Sequence, residues 1–75
     1  MCLAIPAKVI NIVEHSAEVD LMGNSRQVNI DLVADILKPG DYVLVHAGFA
    51  LERLDESTAQ ETLALLEEVA AKGEY

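Results

Sequence analysis

The sequence contains no tryptophan, one phenylalanine and two tyrosines. With so few large rings, an interior has to be filled by Val, Ile, Leu and Ala, which suits a compact barrel or sandwich lined with small branched side chains. It holds a single cysteine, so no intramolecular disulfide can form and stability must come from packing. Basic residues are scarce, five Lys and Arg against thirteen Asp and Glu, giving a net charge of −8. Such a chain repels phosphate backbones and anionic membrane surfaces. The basic groove with stacking aromatics that single strands require is missing too. No apolar run approaches the roughly 18 residues of a membrane span. The start has no basic leader region, and Lys8 interrupts the first apolar stretch. The expectation is a cytoplasmic protein with neither a nucleic-acid nor a membrane partner.

What is present is 52% apolar residues in a chain of 75, enough for one modest core. The reading is a single domain over residues 1–75, with a strand-rich barrel over about 1–54 and a helix over about 55–72. Ala7 to Glu14 is rich in β-branched residues, and Val19 and Leu21 then alternate with Glu18 and Asp20. Met22 to Ser25 reads as a hairpin turn, with Gly23 and Asn24 suited to positive φ. Alternation resumes through Val28, Ile30 and Leu32 against Gln27, Asn29 and Asp31. Lys38 to Asp41 is a Pro-Gly turn, and Tyr42 to Leu54 reads as two strands broken or bent at Gly48. Five short strands point to a small closed or partly open antiparallel barrel. The remainder is a helix with Asp55 as N-cap and an apolar stripe of Ala59, Leu63, Leu66 and Ala70, widened by Leu65 and Val69. Lys72 and Gly73 make its stop.

The residue that stands out is Cys2, directly after Met1. Removal of the methionine would place its thiol beside a free α-amino group of pKa about 8, and that positive charge favours the thiolate. Leu3, Ile5 and Pro6 can anchor the segment while the thiol projects. Lone cysteines are more often small buried side chains, so the residue pattern leaves an incidental cysteine open. A metal site held by this chain alone is not expected. Closed sites take about four ligands, whereas the only soft or imidazole donors are Cys2, His15 and His46. If Cys2 binds a metal, a partner has to complete the coordination sphere. Alternation places His46 on the strand face of Tyr42 and Leu44, opposite Val43 and Val45, at a rim where Gly48 admits another backbone. His15 falls at a turn and reads as solvated. A thiol-dependent enzyme acting on a carbonyl or carbamoyl substrate would need Cys2 and His46 to meet. A small interaction domain with an incidental cysteine is the other alternative.

The opening Met-Cys-Leu-Ala-Ile-Pro-Ala-Lys-Val resembles the start of the hydrogenase assembly chaperones of the HupF/HypC family. The segment from Pro39 to Asp55, with its Gly-Asp turn, strand-end His46, then Gly48, Phe49 and Ala50, is similar to that family's second half. The resemblance covers essentially the whole chain. It implies an OB-type five-stranded barrel with a C-terminal helix, and a non-catalytic chaperone. It further implies pairing with the HypD scaffold to assemble an iron centre carrying cyanide and carbon monoxide, followed by delivery to the [NiFe]-hydrogenase large-subunit precursor. Cys2 would share the transient iron with the partner. Cys2, Leu3, Ile5, Pro6, His46, Gly48 and Phe49 would form the partner-binding surface.

Overall fold

A computed structural model describes residues 4–72, with side chains described through residue 68. Five strands run in chain order, β1 (Ile5–Val13), β2 (Ser16–Leu21), β3 (Asn24–Asn29), β4 (Tyr42–His46) and β5 (Phe49–Leu54), followed by helix α1 (Glu56–Lys72). They close into a barrel in the order β1-β2-β3-β5-β4. Mainly-β architecture, strand number and the closing helix are as the sequence predicts.

β1 makes closure possible because it serves two neighbours. Its first half pairs with β4 from Ile5↔Val45 to Lys8↔Tyr42, and its second half pairs with β2 out to Val13↔Ser16. The strand bends between these roles at a bulge, where Ile10 is the extra residue between the Val9↔Val19 and Asn11↔Glu18 pairs. A second bulge sits in β5, where Leu51 is the extra residue between Glu52 and Ala50. Both extra side chains are exposed. All pairings are antiparallel except one. β3 meets β5 in parallel through the single pair Asn29↔Phe49, so the seam of the barrel is short and departs from the wholly antiparallel expectation.

The core is built from Val9, Val19, Val28, Val43 and Val45 with Ala7, Ala17 and Ala50. Each fully buried valine contributes about 1.5–3 kcal/mol relative to exposure. No side chain in this core is larger than valine, and small side chains let five strands curl tightly. Ile30, Val33 and Leu37, from the connection between β3 and β4, pack against it from outside the strands.

Three expectations are corrected. Alternation carries the third strand through Leu32, but β3 ends at Asn29. There the Asn29 side chain accepts the Asp31 amide through Oδ1 at 2.8 Å and Val33 N donates to Ile30 O at 3.1 Å, so a local turn outcompetes the ladder and leaves Leu32 exposed. The β2–β3 turn consists of Met22 and Gly23, at φ 52° and 92°, and Asn24 already pairs with Leu21 in the ladder. In α1, Ala59 is fully buried and Leu63 and Leu66 half-buried, but Leu65 is 63% exposed and does not widen the stripe. Ala70 and Val69 fall among the side chains outside the described set, and Gly73 lies beyond the described residues.

α1 packs outside the barrel against β1 and β4. Its first turn is closed by Ala59 N donating to Asp55 O at 2.9 Å, which puts Asp55 at the N-cap position. Gln60 Nε2 donates to the Tyr42 hydroxyl at 2.9 Å, tying helix to strand. Pro6, on the outward face of β1 by alternation, is fully buried.

Candidate functional site

The first described residue, Ala4, leads directly into the rung that pairs Ile5 with Val45, one step from the end of β4. Ile5 is half-buried, and Pro6 is fully buried opposite Leu44. Pro6 has no N–H to offer a ladder and fixes its own φ, so the strand entry is stiff. Ile5 and Pro6 are thus both held within the barrel wall. Cys2 and Leu3 lie outside the described residues, as does any meeting of Cys2 with His46.

Beside this strand entry stands the β4–β5 hairpin. His46 pairs with Phe49 across a two-residue turn, and both turn residues have positive φ, Ala47 at 52° and Gly48 at 86°. That combination is the type I′ geometry whose twist matches flanking antiparallel strands. The tip is fastened from a third strand, since Asn29 N donates to Gly48 O at 3.0 Å. Alternation places Tyr42, Leu44 and His46 outward, all half-buried, while Val43 and Val45 enter the core. Phe49 is 46% exposed at the hairpin end. The structure thus brings together Ile5, Pro6, His46, Gly48 and Phe49 around one end of β4.

Between the strand entry and β3 lies a cleft of about 230 Å³ lined by Ile5, Leu21, Val28 and Val45, by the Ala47–Gly48 turn, and at its rim by Arg26 and Gln27. Sequence reasoning did not single out Arg26. It stands on the core face of β3, paired with the fully buried Val19, yet is exposed. A cation at an inward position of an otherwise apolar alternation was the signal available for finding it. A second feature the sequence hid is a polar brace on the far side of Asn29. His15 Nδ1 lies 2.9 Å from Asp31 Oδ1, and Ile30 N donates to His15 O at 2.9 Å. His15 is solvent-exposed as expected, but it also ties the β1–β2 turn to the end of β3.

Among the described residues, no group of three or more His, Cys, Asp and Glu could hold a metal ion. Nor is any described helix long and apolar enough to cross a membrane. What the site offers chemically is a stiff, apolar entry strand beside a tight hairpin carrying an imidazole, a phenyl ring and exposed backbone.

The sequence model of the HupF/HypC family matches residues 1–66. The chain is 45% identical over 75 residues to the hydrogenase maturation factor HypC of Azotobacter chroococcum mcd 1, covering 99% of this chain and 88% of that protein. It is 46% identical over 71 residues to the HypC of Rhizobium leguminosarum bv. viciae, covering 93% of each. With the HypC of Helicobacter hepaticus the identity is 43% over 70 residues, covering 92% of this chain and 81% of that one.

Proposed function

The chain belongs to the HupF/HypC family of hydrogenase maturation factors, and on that premise we propose how it serves hydrogenase maturation. It pairs with the HypD scaffold while the iron–cyanide–carbonyl centre is assembled, and it then carries that centre to the large-subunit precursor of a [NiFe]-hydrogenase. It works in the cytoplasm by binding and handing over, without turning over a substrate of its own.

The observation that carries this reading is that the family match begins at residue 1 and includes Met-Cys-Leu-Ala-Ile-Pro. Iron here is cargo. The Cys2 thiolate supplies one donor, and the scaffold and the small diatomic ligands supply the rest. A single thiolate bond can be exchanged, whereas a closed four-ligand site would hold the metal against transfer. The geometry of the strand entry supports the reading. Ile5 and Pro6 are locked against Val45 and Leu44, so the backbone leading to the thiol starts from a fixed point beside His46, Gly48 and Phe49. A partner recognising that rim therefore docks beside the point where the described strand begins.

The test is anaerobic co-purification with the scaffold and the large-subunit precursor, comparing the native chain with Cys2→Ala and assaying iron. The expected result is loss of bound iron and of at least one complex in the variant, with unchanged circular dichroism and melting. Equal iron and equal complexes without the thiol would overturn the shared-site mechanism.

A further inference from the structure

The first four residues of β3 form a continuous exposed run. Asn24, Ser25, Arg26 and Gln27 are all exposed, and burial begins only at Val28. One edge of β3 pairs with β2 along its whole length, from Leu21↔Asn24 to Ser16↔Asn29. The other edge meets β5 at Asn29↔Phe49 alone. Successive residues of a strand direct their N–H and C=O to opposite edges. Because Asn29 N donates to Gly48 O, Asn29, Gln27 and Ser25 direct their backbone groups to the edge facing β5. The Ser25 carbonyl receives Nη1 of Arg26 at 3.1 Å, a side chain standing in where a strand is missing. Among the described residues, no strand pairs with Ser25 or Gln27 on that side.

The two faces of this edge differ. The apolar cleft of Ile5, Leu21, Val28 and Val45 opens on one side of β3. On the other lies a depression of mixed character, whose lining includes Val13 and Ala17 beside Asn11, Glu18, Ser25 and Gln27. Arg26 lines both, and among the described residues it has no carboxylate partner. Side chains of an added strand would alternate between the two sides.

The geometry points to β-strand addition at the free edge of β3, with an extended segment of the partner protein as occupant. The segment carries apolar side chains for the cleft and an acidic residue to meet Arg26, while the mixed depression opposite admits polar or small side chains. This rests on the reading that the chain docks a scaffold protein, and it deepens that reading by naming the mode. A second copy of the chain fits the edge poorly. Two-fold antiparallel self-pairing centred on Arg26 or on Gln27 would set two Arg26 guanidinium groups directly or diagonally opposite on one face, on molecules that each carry −8. The edge also borders Ile5 and the Ala47–Gly48 turn, so a strand docked there lies next to the entry of the N-terminal segment.

The experiment is anaerobic titration calorimetry of the full chain against the HypD scaffold, using the native chain, Gln27→Ala and Gln27→Pro. Proline removes the N–H aimed at the free edge and leaves the β2 ladder untouched, because Gln27 directs nothing to β2. Strand addition predicts near-native binding by Gln27→Ala and about tenfold or more weaker binding by Gln27→Pro, the loss of one backbone hydrogen bond with the partner's carbonyl left unpaired. Should Gln27→Pro fail to fold, amide exchange on the native chain decides. The Ser25 and Gln27 amides are expected to slow about tenfold or more in the complex. Native-like binding by a folded Gln27→Pro, or unprotected Ser25 and Gln27 amides in the complex, overturns strand addition while leaving the partnership intact. Absence of binding by the native chain itself overturns the partnership, and the docking mode with it. A native dimer that Gln27→Pro dissolves would make the second copy the occupant and overturn the assignment to a partner.

Discussion

At the scale of single residues, the β4–β5 turn concentrates the strain at the site. Ala47 holds φ 52°, a conformation that costs an L residue about 1–2 kcal/mol, and Gly48 holds φ 86° without such a penalty. Gly48→Val should therefore lower stability by about 1–2 kcal/mol, read from the urea midpoint, although no neighbouring atom lies within 4 Å of a Cβ there. Ala47→Asn should move the midpoint the other way by about 0.5 kcal/mol, since asparagine tolerates this region and favours the turn. Equal midpoints for all three proteins would mean that the hairpin is not tight. The Gly48 break was legible because glycine between two β-branched or aromatic runs signals a turn. The β2–β3 turn was legible as well, from Gly23, but its two central residues were set one place too late, because a methionine at positive φ has no signature of its own.

At the scale of elements, α1 closes the outside of β1 and β4 through one small residue. Ala59 is fully buried, so the helix approaches closely there, and any longer side chain has to push it away. Ala59→Leu is expected to cost about 1–3 kcal/mol through overpacking, while Leu65→Ser, on the exposed face, should stay within about 0.5 kcal/mol of the native chain. Thermal unfolding of both variants checks the contrast, and equal losses would place the packed face elsewhere. Helical spacing announced Ala59, Leu63 and Leu66, but spacing alone could not rank Leu65 as exposed. The orientation of a helix on a barrel depends on the surface it meets. Here that surface includes Tyr42, whose hydroxyl takes a hydrogen bond from Gln60.

At the scale of the whole molecule, charge and shape select the class of partner. OB-type barrels carry grooves that suit single-stranded nucleic acid, yet this one bears −8 and carries three aromatic residues. Fluorescence anisotropy with a labelled single-stranded oligonucleotide at low salt, where phosphate attraction is strongest, should show no binding. A salt-sensitive rise in anisotropy would contradict this and return the barrel to nucleic-acid recognition. The connection from Ile30 to Asp41 adds a structural contribution at this scale. It runs between β3 and β4, buries Val33 and Leu37 against the core, and places Asp35 Oδ2 3.8 Å from Arg53 Nε, leaving Ile36 94% exposed.

Alternation, turn residues and helical periodicity determined by themselves that this chain is a five-stranded, mainly-β domain with a closing helix, because these signals are local and repeat every two or every 3.6 residues. The opening Met-Cys motif pointed to the family for a similar reason, as a fixed pattern at a fixed position. Only the tertiary structure decided that β3 stops at Asn29, that the barrel closes through one parallel pair, and that His15 and Asp31 meet. It alone left Ser25 and Gln27 facing an unpaired edge beside Ile5 and Gly48. These outcomes depend on residues far apart in sequence competing for the same backbone groups. Which pairing wins is set by register and shear around the closed barrel, and no local window of sequence contains that information.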